Sequence, residues 1–281
     1  MVCARLGVNV TGMAAGKPAP LLREASTDAG PFTEDAGSPG LPSPQAWVNG
    51  TMLGFDLETT GTDPLSDVPV SVAFVGAVGG SVGGERYFIV DPGREVPAGA
   101  AAIHGITTER ARAEGMPLEE AARTISGELQ SAAASATLVV AMNAAFDLTM
   151  AEAICIAAGV PAPSTMDLLV ADILVIDREY DRYRSGKRTL TALCEHYGVE
   201  LGEAHNASGD AQAALSVLIE QVGHYPGLAK LSTVKLMQAQ SIWHRGQVRR
   251  LSEYFVSQGR RAIPESQEDW PIWRVAGSDG S

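Results

Sequence analysis

Phe55-Asp56-Leu57-Glu58-Thr59-Thr60-Gly61 constrains this chain more than any other stretch. Large apolar side chains alternate with acids up to a Thr-Gly turn, so the run reads as a strand. Successive side chains on a strand point to opposite faces, which puts Phe55 and Leu57 on one face and Asp56 and Glu58 on the other. Two carboxylates on one face repel one another, and burying them without cations is costly. Either this strand end frays into a solvated turn, or the fold brings cations to it. Carboxylate oxygens suit Mg²⁺ or Mn²⁺.

The surrounding pattern is that of an α/β layered domain with a mixed sheet. Thr51 to Glu58, Val68 to Val78 and Arg86 to Val90 are β-rich runs between Gly, Pro and Asp turns, predicting a three-stranded meander. A helix is expected over Pro117 to Ala134, a fourth strand over Thr137 to Met142, and a helix over Phe146 to Ala158 ended by Gly159 and Pro161. A short strand or turn at Ser164 to Leu168 leads into more helix through Ile176. Leu190 to Tyr197 and Ala207 to Val222 read as the last helices of the domain. Residues 1–45, rich in Gly, Ala, Pro and Ser, are expected to be a disordered arm. Residues 46–222 form the domain, and residues 223–281 a basic helical C-terminal extension. There, Leu228, Leu231, Val234, Leu251 and Phe255 recur at helical spacings, with Trp270 and Trp273 placed to fold back onto the domain.

No window approaches 18 uncharged apolar residues; Val68 to Gly84 comes nearest and is interrupted by seven Gly or Ser residues. Three cysteines cannot form a disulfide framework, and Cys155 and Cys194 sit in apolar helical patterns as core thiols. The expectation is a cytoplasmic protein without a membrane anchor.

Two more acids stand where ligands collect in α/β sheets. In Met142-Asn143-Ala144-Ala145-Phe146-Asp147, Asp147 falls in the first helical turn after a strand, where the helix dipole also favours an acid. In His205-Asn206-Ala207-Ser208-Gly209-Asp210, Asp210 opens a helix and His205 lies in the loop five residues ahead. A loop histidine is commonly a surface or capping residue. A neutral imidazole beside a cation site can also take a proton from water near pH 7.

The order of these motifs resembles the DEDDh exonucleases, and FDLETTG, His104-Gly105-Ile106-Thr107, NAAFD and the H-x4-D spacing resemble their epsilon-type (DnaQ-like) proofreading branch. The resemblance covers residues 51–222. It implies a ribonuclease-H-like fold and metal-dependent 3′→5′ removal of nucleotides. It also implies that Asp56, Glu58, Asp147 and Asp210 hold two Mg²⁺ or Mn²⁺ ions, and that His205 is the general base. Thr59, Thr60, His104 and Phe146 would line the terminal nucleotide pocket. Members of this branch often carry histidine where this chain has Met142. The tyrosine of the sister group would fall at position 206, which is asparagine. Oligoribonucleases usually have methionine where this chain has Thr59.

Charge narrows the partners. Residues 46–222 hold 10 basic and 24 acidic side chains, whereas residues 223–281 hold 8 and 5. This balance is unlike a generic duplex binder, which needs a broad cationic face. Bound cations would reverse the local sign at a small site. The basic loop Arg182, Arg184, Lys187 and Arg188 reads equally as a guide for a nucleic-acid backbone or as a solvated turn beside Asp177, Glu179 and Asp181. The expected substrate is a DNA 3′ end, single-stranded or frayed. An RNA 3′-end trimming ribonuclease of the same fold and a non-catalytic end-binding protein are the alternatives. No clamp-binding motif supports association with a polymerase.

Overall fold

Three strands follow one another directly. β1 (Thr51–Thr59) pairs antiparallel with β2 (Pro69–Val78), and β2 with β3 (Ser81–Asp91). The computed structural model describes residues 47, 49–201 and 206–274, so the expected arm over 1–45 lies outside the described residues. β3 starts five residues before the predicted Arg86. Gly79 and Gly80, with φ of 60° and 79°, make the two-residue hairpin, since both central residues of such a turn need positive φ. Gly83 and Gly84, which punctuate the sequence, are absorbed into β3, opposite a register shift between Val75 and Ala77.

Two short helices, α1 (Ala98–His104) and α2 (Thr108–Glu114), precede a two-residue strand β4 (Met116–Pro117) and the long α3 (Leu118–Ala134). β5 (Leu138–Ala141) then returns to pair parallel with β1, through Met52↔Leu138 and Gly54↔Val140. After α4 (Ala144–Ala157) comes β6 (Leu169–Asp172), parallel to β5 and continuing directly into α5 (Ile173–Tyr180). The sequence predicts a short strand or turn at 164–168 and helix beyond it through Ile176; the turn is present, and the structure corrects the helix by placing a strand before it. Pro163–Thr165 is a 3-10 turn, and the strand is Leu-Val-Ala-Asp. Both faces of this short strand are covered, so it lacks alternation and merges with the apolar start of α5. α6 (Leu190–Tyr197), α7 (Ala207–His224), α8 (Pro226–Ala229) and α9 (Thr233–Ser257) complete the helices among the described residues. The sheet order β4-β3-β2-β1-β5-β6 places β1 at the centre, between an antiparallel and a parallel neighbour. This is the expected mixed sheet with flanking helices. No helix among the described residues is long and apolar enough to cross a membrane.

The alternation read from β1 divides the molecule. Phe55 and Leu57 are buried with residues of α3 and α4, and Phe55 stacks on Phe74 with ring centroids 4.9 Å apart. Met52 faces the opposite layer, packed with Ala211 and Leu215 of α7. Gly54 lies on that second face because a Cβ there would stand 2.6 Å from the Ala211 carbonyl oxygen. The absence of a side chain lets α7 press directly against β1.

α9 buries a polar face. Leu236, Ala239, Gln240, His244 and Gln247 are buried, whereas Val234 of the predicted apolar stripe is 52% exposed. The Gln240 amide accepts from Asp172 N at 2.7 Å and donates to the Val170 carbonyl at 2.9 Å. Gln247 donates to the Val175 carbonyl at 3.0 Å. β6 is an edge strand with unpaired backbone groups, and α9 supplies amides where another strand would supply peptides. Trp270 and Trp273 do return to the domain, buried in the layer of Phe55 and α4.

The basic loop after α5 is mostly an internal device. Asp177 is fully buried and binds Arg184, Arg188 and the Tyr197 hydroxyl, and Arg182 pairs with Glu179. These three arginines already have carboxylate partners. Asp177→Ala would leave two guanidinium groups largely buried beside an empty position. We expect a loss of about 3–5 kcal/mol, the usual cost of breaking a buried ion pair from one side. A urea melt should report it as a lower midpoint with an unchanged slope; an unchanged midpoint would refute this account of the loop.

Candidate active site

β1 and the turn after it form the floor. Asp56 is partly exposed, whereas Glu58 is 1% exposed, and a register shift follows immediately between Glu58 and Thr59. The chain then closes on Asp67, whose carboxylate accepts from the Thr60 hydroxyl at 3.0 Å and from Asp63 N at 3.0 Å. Val68 N donates back to the Thr60 hydroxyl at 3.2 Å, and the Thr59 hydroxyl donates to the Gly61 carbonyl at 2.6 Å. A Cβ on Gly61 would meet the Asp67 carboxylate at 2.3 Å, so any larger residue would have to displace Asp67 from the turn it closes. Both threonines are buried and serve the turn that ends β1.

The parallel pairing of β5 with β1 delivers the second motif to the same end of the sheet. Asn143 adopts a left-handed conformation (φ 66°, ψ 48°) and α4 starts at the next residue. Asp172 holds this junction. One carboxylate oxygen accepts from Asn143 N at 3.0 Å and the other from Ala144 N at 2.9 Å, while the first also caps α5 through Leu174 N at 3.0 Å. Asp147, in the first turn of α4, is 2% exposed, and its Oδ2 has no hydrogen-bond partner. α7 brings the fourth acid, Asp210. Asn206 caps that helix by accepting from Ser208 N at 3.1 Å, and the contact over Gly54 sets Asp210 against β1.

Asp56, Glu58 and Asp210 thereby present carboxylate oxygens within 4.8 Å of one another. Both Glu58 oxygens are buried without a hydrogen-bond partner among the described residues. Burial raises the Asp56 pKa well above the usual carboxylate range, with further upward pushes from Asp147, Asp210 and Glu58. Burial, with Asp210 adding to it, pushes Glu58 up to about 7. Burial likewise raises Asp147, and Asp172 adds to the effect. Orphaned buried oxygens, mutual repulsion and an all-carboxylate donor set fit a hard divalent cation, which removes all three costs together.

His104 closes α1 before a left-handed Gly105. Its Nδ1 accepts from Ile106 N at 3.2 Å, so Nε2 carries the proton when the ring is neutral. Burial lowers its pKa to about 4, and Nε2, directed toward the Thr59 carbonyl, makes no hydrogen bond of good geometry. A neutral N–H donor thus stands beside the end of β1. Phe146 is buried at the start of α4. His205 lies outside the described residues. Of the four acids named from the sequence, Asp56, Glu58 and Asp210 present oxygens to one another, and Asp147 is near enough to act on Asp56 through its charge. Asp172 was not among them, although an acid directly ahead of Ile-Leu-Val-Ile is a legible helix cap.

The family model described as Exonuclease (RNase_T) matches residues 53–218. A DNA polymerase III subunit epsilon-like protein of Rhodobacter capsulatus is 32% identical over 174 residues, covering 60% of this chain and 23% of that protein. A DNA polymerase III of PolC type from Streptococcus suis is 27% identical over 213 residues, covering 74% of this chain and 14% of its own length. The chain therefore spans less than a quarter of each of these relatives. Among solved structures, E. coli Exonuclease I in complex with a dT13 oligonucleotide superposes with a TM-score of 0.57 at 24% identity, over 64% of this chain and 42% of that one. Exonuclease I from Methylocaldum szegediense gives 0.57 at 19%, over 70% and 45%.

The raised carboxylates make a linked prediction. Glu58 titrates at about 7 in the folded protein against 4.5 for an ordinary glutamate, so the folded state holds the proton more tightly. Its contribution to stability is complete below 4.5 and is lost as pH rises through 7. In EDTA, the melting temperature should fall across that interval. Mg²⁺ or Mn²⁺ should raise it far more above pH 7 than near pH 4.5. A metal-induced rise independent of pH, measured by scanning calorimetry, would contradict a site made of these acids.

Proposed function

Because this chain belongs to the RNase_T exonuclease family, we propose that it is a metal-dependent 3′→5′ exonuclease acting on DNA ends that are single-stranded or frayed. One observation carries the reading. Three acids from the first strand and the seventh helix, about 150 residues apart in sequence, converge within 4.8 Å with the Glu58 oxygens left unbonded. The names of the relatives favour DNA, since they are DNA polymerase III proteins and an exonuclease bound to dT13.

Asp56, Glu58, Asp147 and Asp210 would hold two Mg²⁺ or Mn²⁺ ions. When bound, such ions neutralise phosphate charge and stabilise the attacking and leaving oxygens of an in-line displacement. His205, five residues before Asp210, is the general base: a ring nitrogen accepts the proton of the attacking water. The new P–O bond forms as the bond to the upstream 3′-oxygen breaks, releasing a nucleoside 5′-monophosphate. Thr59, Thr60, His104 and Phe146 shape the terminal nucleotide pocket. His104 is uncharged at physiological pH, so it borders the pocket without adding charge.

An oligonucleotide labelled at its 5′ end should yield a ladder shortened one nucleotide at a time, and EDTA should abolish it. Asp56→Ala should remove turnover while leaving the metal-free fold intact or more stable, since it relieves repulsion. His205→Ala should retain substrate affinity and lose about 10²–10⁴-fold in single-turnover rate, the usual worth of a positioned base. It should also lose the rise in rate as imidazole deprotonates. Normal cleavage by Asp56→Ala, or release of internal fragments from circular strands, would overturn the proposal. Running DNA and RNA in parallel separates the two substrate classes.

A further inference from the structure

Beyond the four acids, the C-terminal segment after α9 builds a second feature at this end of the sheet. Residues 264–273 are pinned on three sides. Gln267 O bonds the His244 ring at 2.9 Å, and Glu268 pairs with Arg249 at 2.8 Å, tying the segment to α9. Trp273 N donates at 2.9 Å to the Thr149 hydroxyl, which itself bonds the Ala145 carbonyl in the first turns of α4. The Trp270 indole N–H points at the Asp172 carboxylate over a longer 3.5 Å. The segment is thus fixed to α4, the helix that carries Asp147.

Between this segment and the turn at 62–65 lies a cavity of about 390 Å³, within the range of small-ligand sites. Phe146 and Trp273 supply aromatic walls, Pro264 an apolar one, and Ser266, Gln267 and Asn143 polar groups. The cavity lies against the turn that follows β1 and the first turn of α4, the two elements that carry Glu58 and Asp147, although none of the four acids lines it. The Asn143 side chain makes no cap hydrogen bond with α4. Among the described residues, no lining side chain is cationic. Asp63 is among them, its oxygens turned to Leu65 N at 3.1 Å and the Ser66 hydroxyl at 2.8 Å. A phosphate would find no positive partner here. A neutral base and its sugar would find aromatic surface and amides that both donate and accept.

We infer that this cavity is a nucleoside subsite, holding the base and sugar of the nucleotide upstream of the scissile bond, and that the C-terminal segment completes it. The inference rests on the nuclease reading. It adds that residues beyond the matched 53–218 contribute to strand binding. Of the residues assigned to the terminal pocket only Phe146 also lines this cavity, so its ring stands between the two positions, with Thr59, Thr60 and His104 on the terminal nucleotide and the cavity on the upstream one.

Two substrates separate the positions. A short oligothymidylate fills both, whereas the methyl ester of thymidine 5′-monophosphate, whose leaving group is a single carbon, fills only the terminal one. Ser266→Trp occupies the cavity from a half-buried position, and Gln267→Ala removes an amide while keeping the backbone contact to His244. The ratio of kcat/KM for the oligonucleotide over the ester should fall roughly tenfold in Ser266→Trp, the scale of one lost base–aromatic contact. It should fall about fivefold in Gln267→Ala, the scale of one hydrogen bond. Affinity for a 5′-fluorescein-labelled oligothymidylate, measured by anisotropy with Ca²⁺ replacing Mg²⁺, should weaken in step. An unchanged ratio and affinity in both variants, or equal losses on both substrates, would overturn the subsite. Failure of the unsubstituted protein to hydrolyse either substrate would instead overturn the nuclease reading, while the anisotropy measurement still decides on the cavity.

Discussion

Four carboxylates held together at one end of a sheet set the terms for the rest of this structure. Asp56 and Glu58 are imposed on one face by the geometry of β1, and Asp147 and Asp210 are brought to them by helices. Each raises the cost of ionising its neighbours, and burial raises it further. An arrangement this unfavourable without cations persists only if the surrounding packing over-determines it. The supports are correspondingly specific: a glycine that lets α7 touch β1, a turn closed on Asp67, and a helix start held by Asp172.

Asp172 does the most with the fewest atoms. Its two oxygens receive the backbone N–H groups of Asn143 and Ala144 and cap α5. A carboxylate accepting several N–H bonds is satisfied without a cation, which separates this acid from Glu58, whose oxygens accept none. Two buried carboxylates thus perform opposite tasks. The difference is the supply of donors.

The C-terminal extension belongs to this design physically. Its long helix covers the edge of β6 with glutamine amides rather than an apolar stripe, and its last residues brace α4 through Thr149. Covering an edge strand needs donors and acceptors at the spacing of peptide groups, and glutamine reaches them from a helix. An apolar-pattern reading of the extension finds Leu228 of α8 and Phe255 of α9 but passes over Gln240 and Gln247, because polar side chains facing inward look like solvent-facing ones in a sequence.

What the sequence by itself determined was local and periodic. The face shared by Asp56 and Glu58, the meander of three strands, the acids opening α4 and α7, and the order of the motifs follow from alternation, capping and spacing, which neighbouring residues control. Strand β6 escaped because both its faces are covered, so it carries no period to read. Tertiary structure alone decided that α7 could approach β1 over Gly54, that three acids meet within 4.8 Å, that Arg184 and Arg188 turn inward to Asp177, and that Trp273 returns to α4. These are contacts between residues distant in the chain. Their free energy depends on burial and on partners that no local pattern specifies.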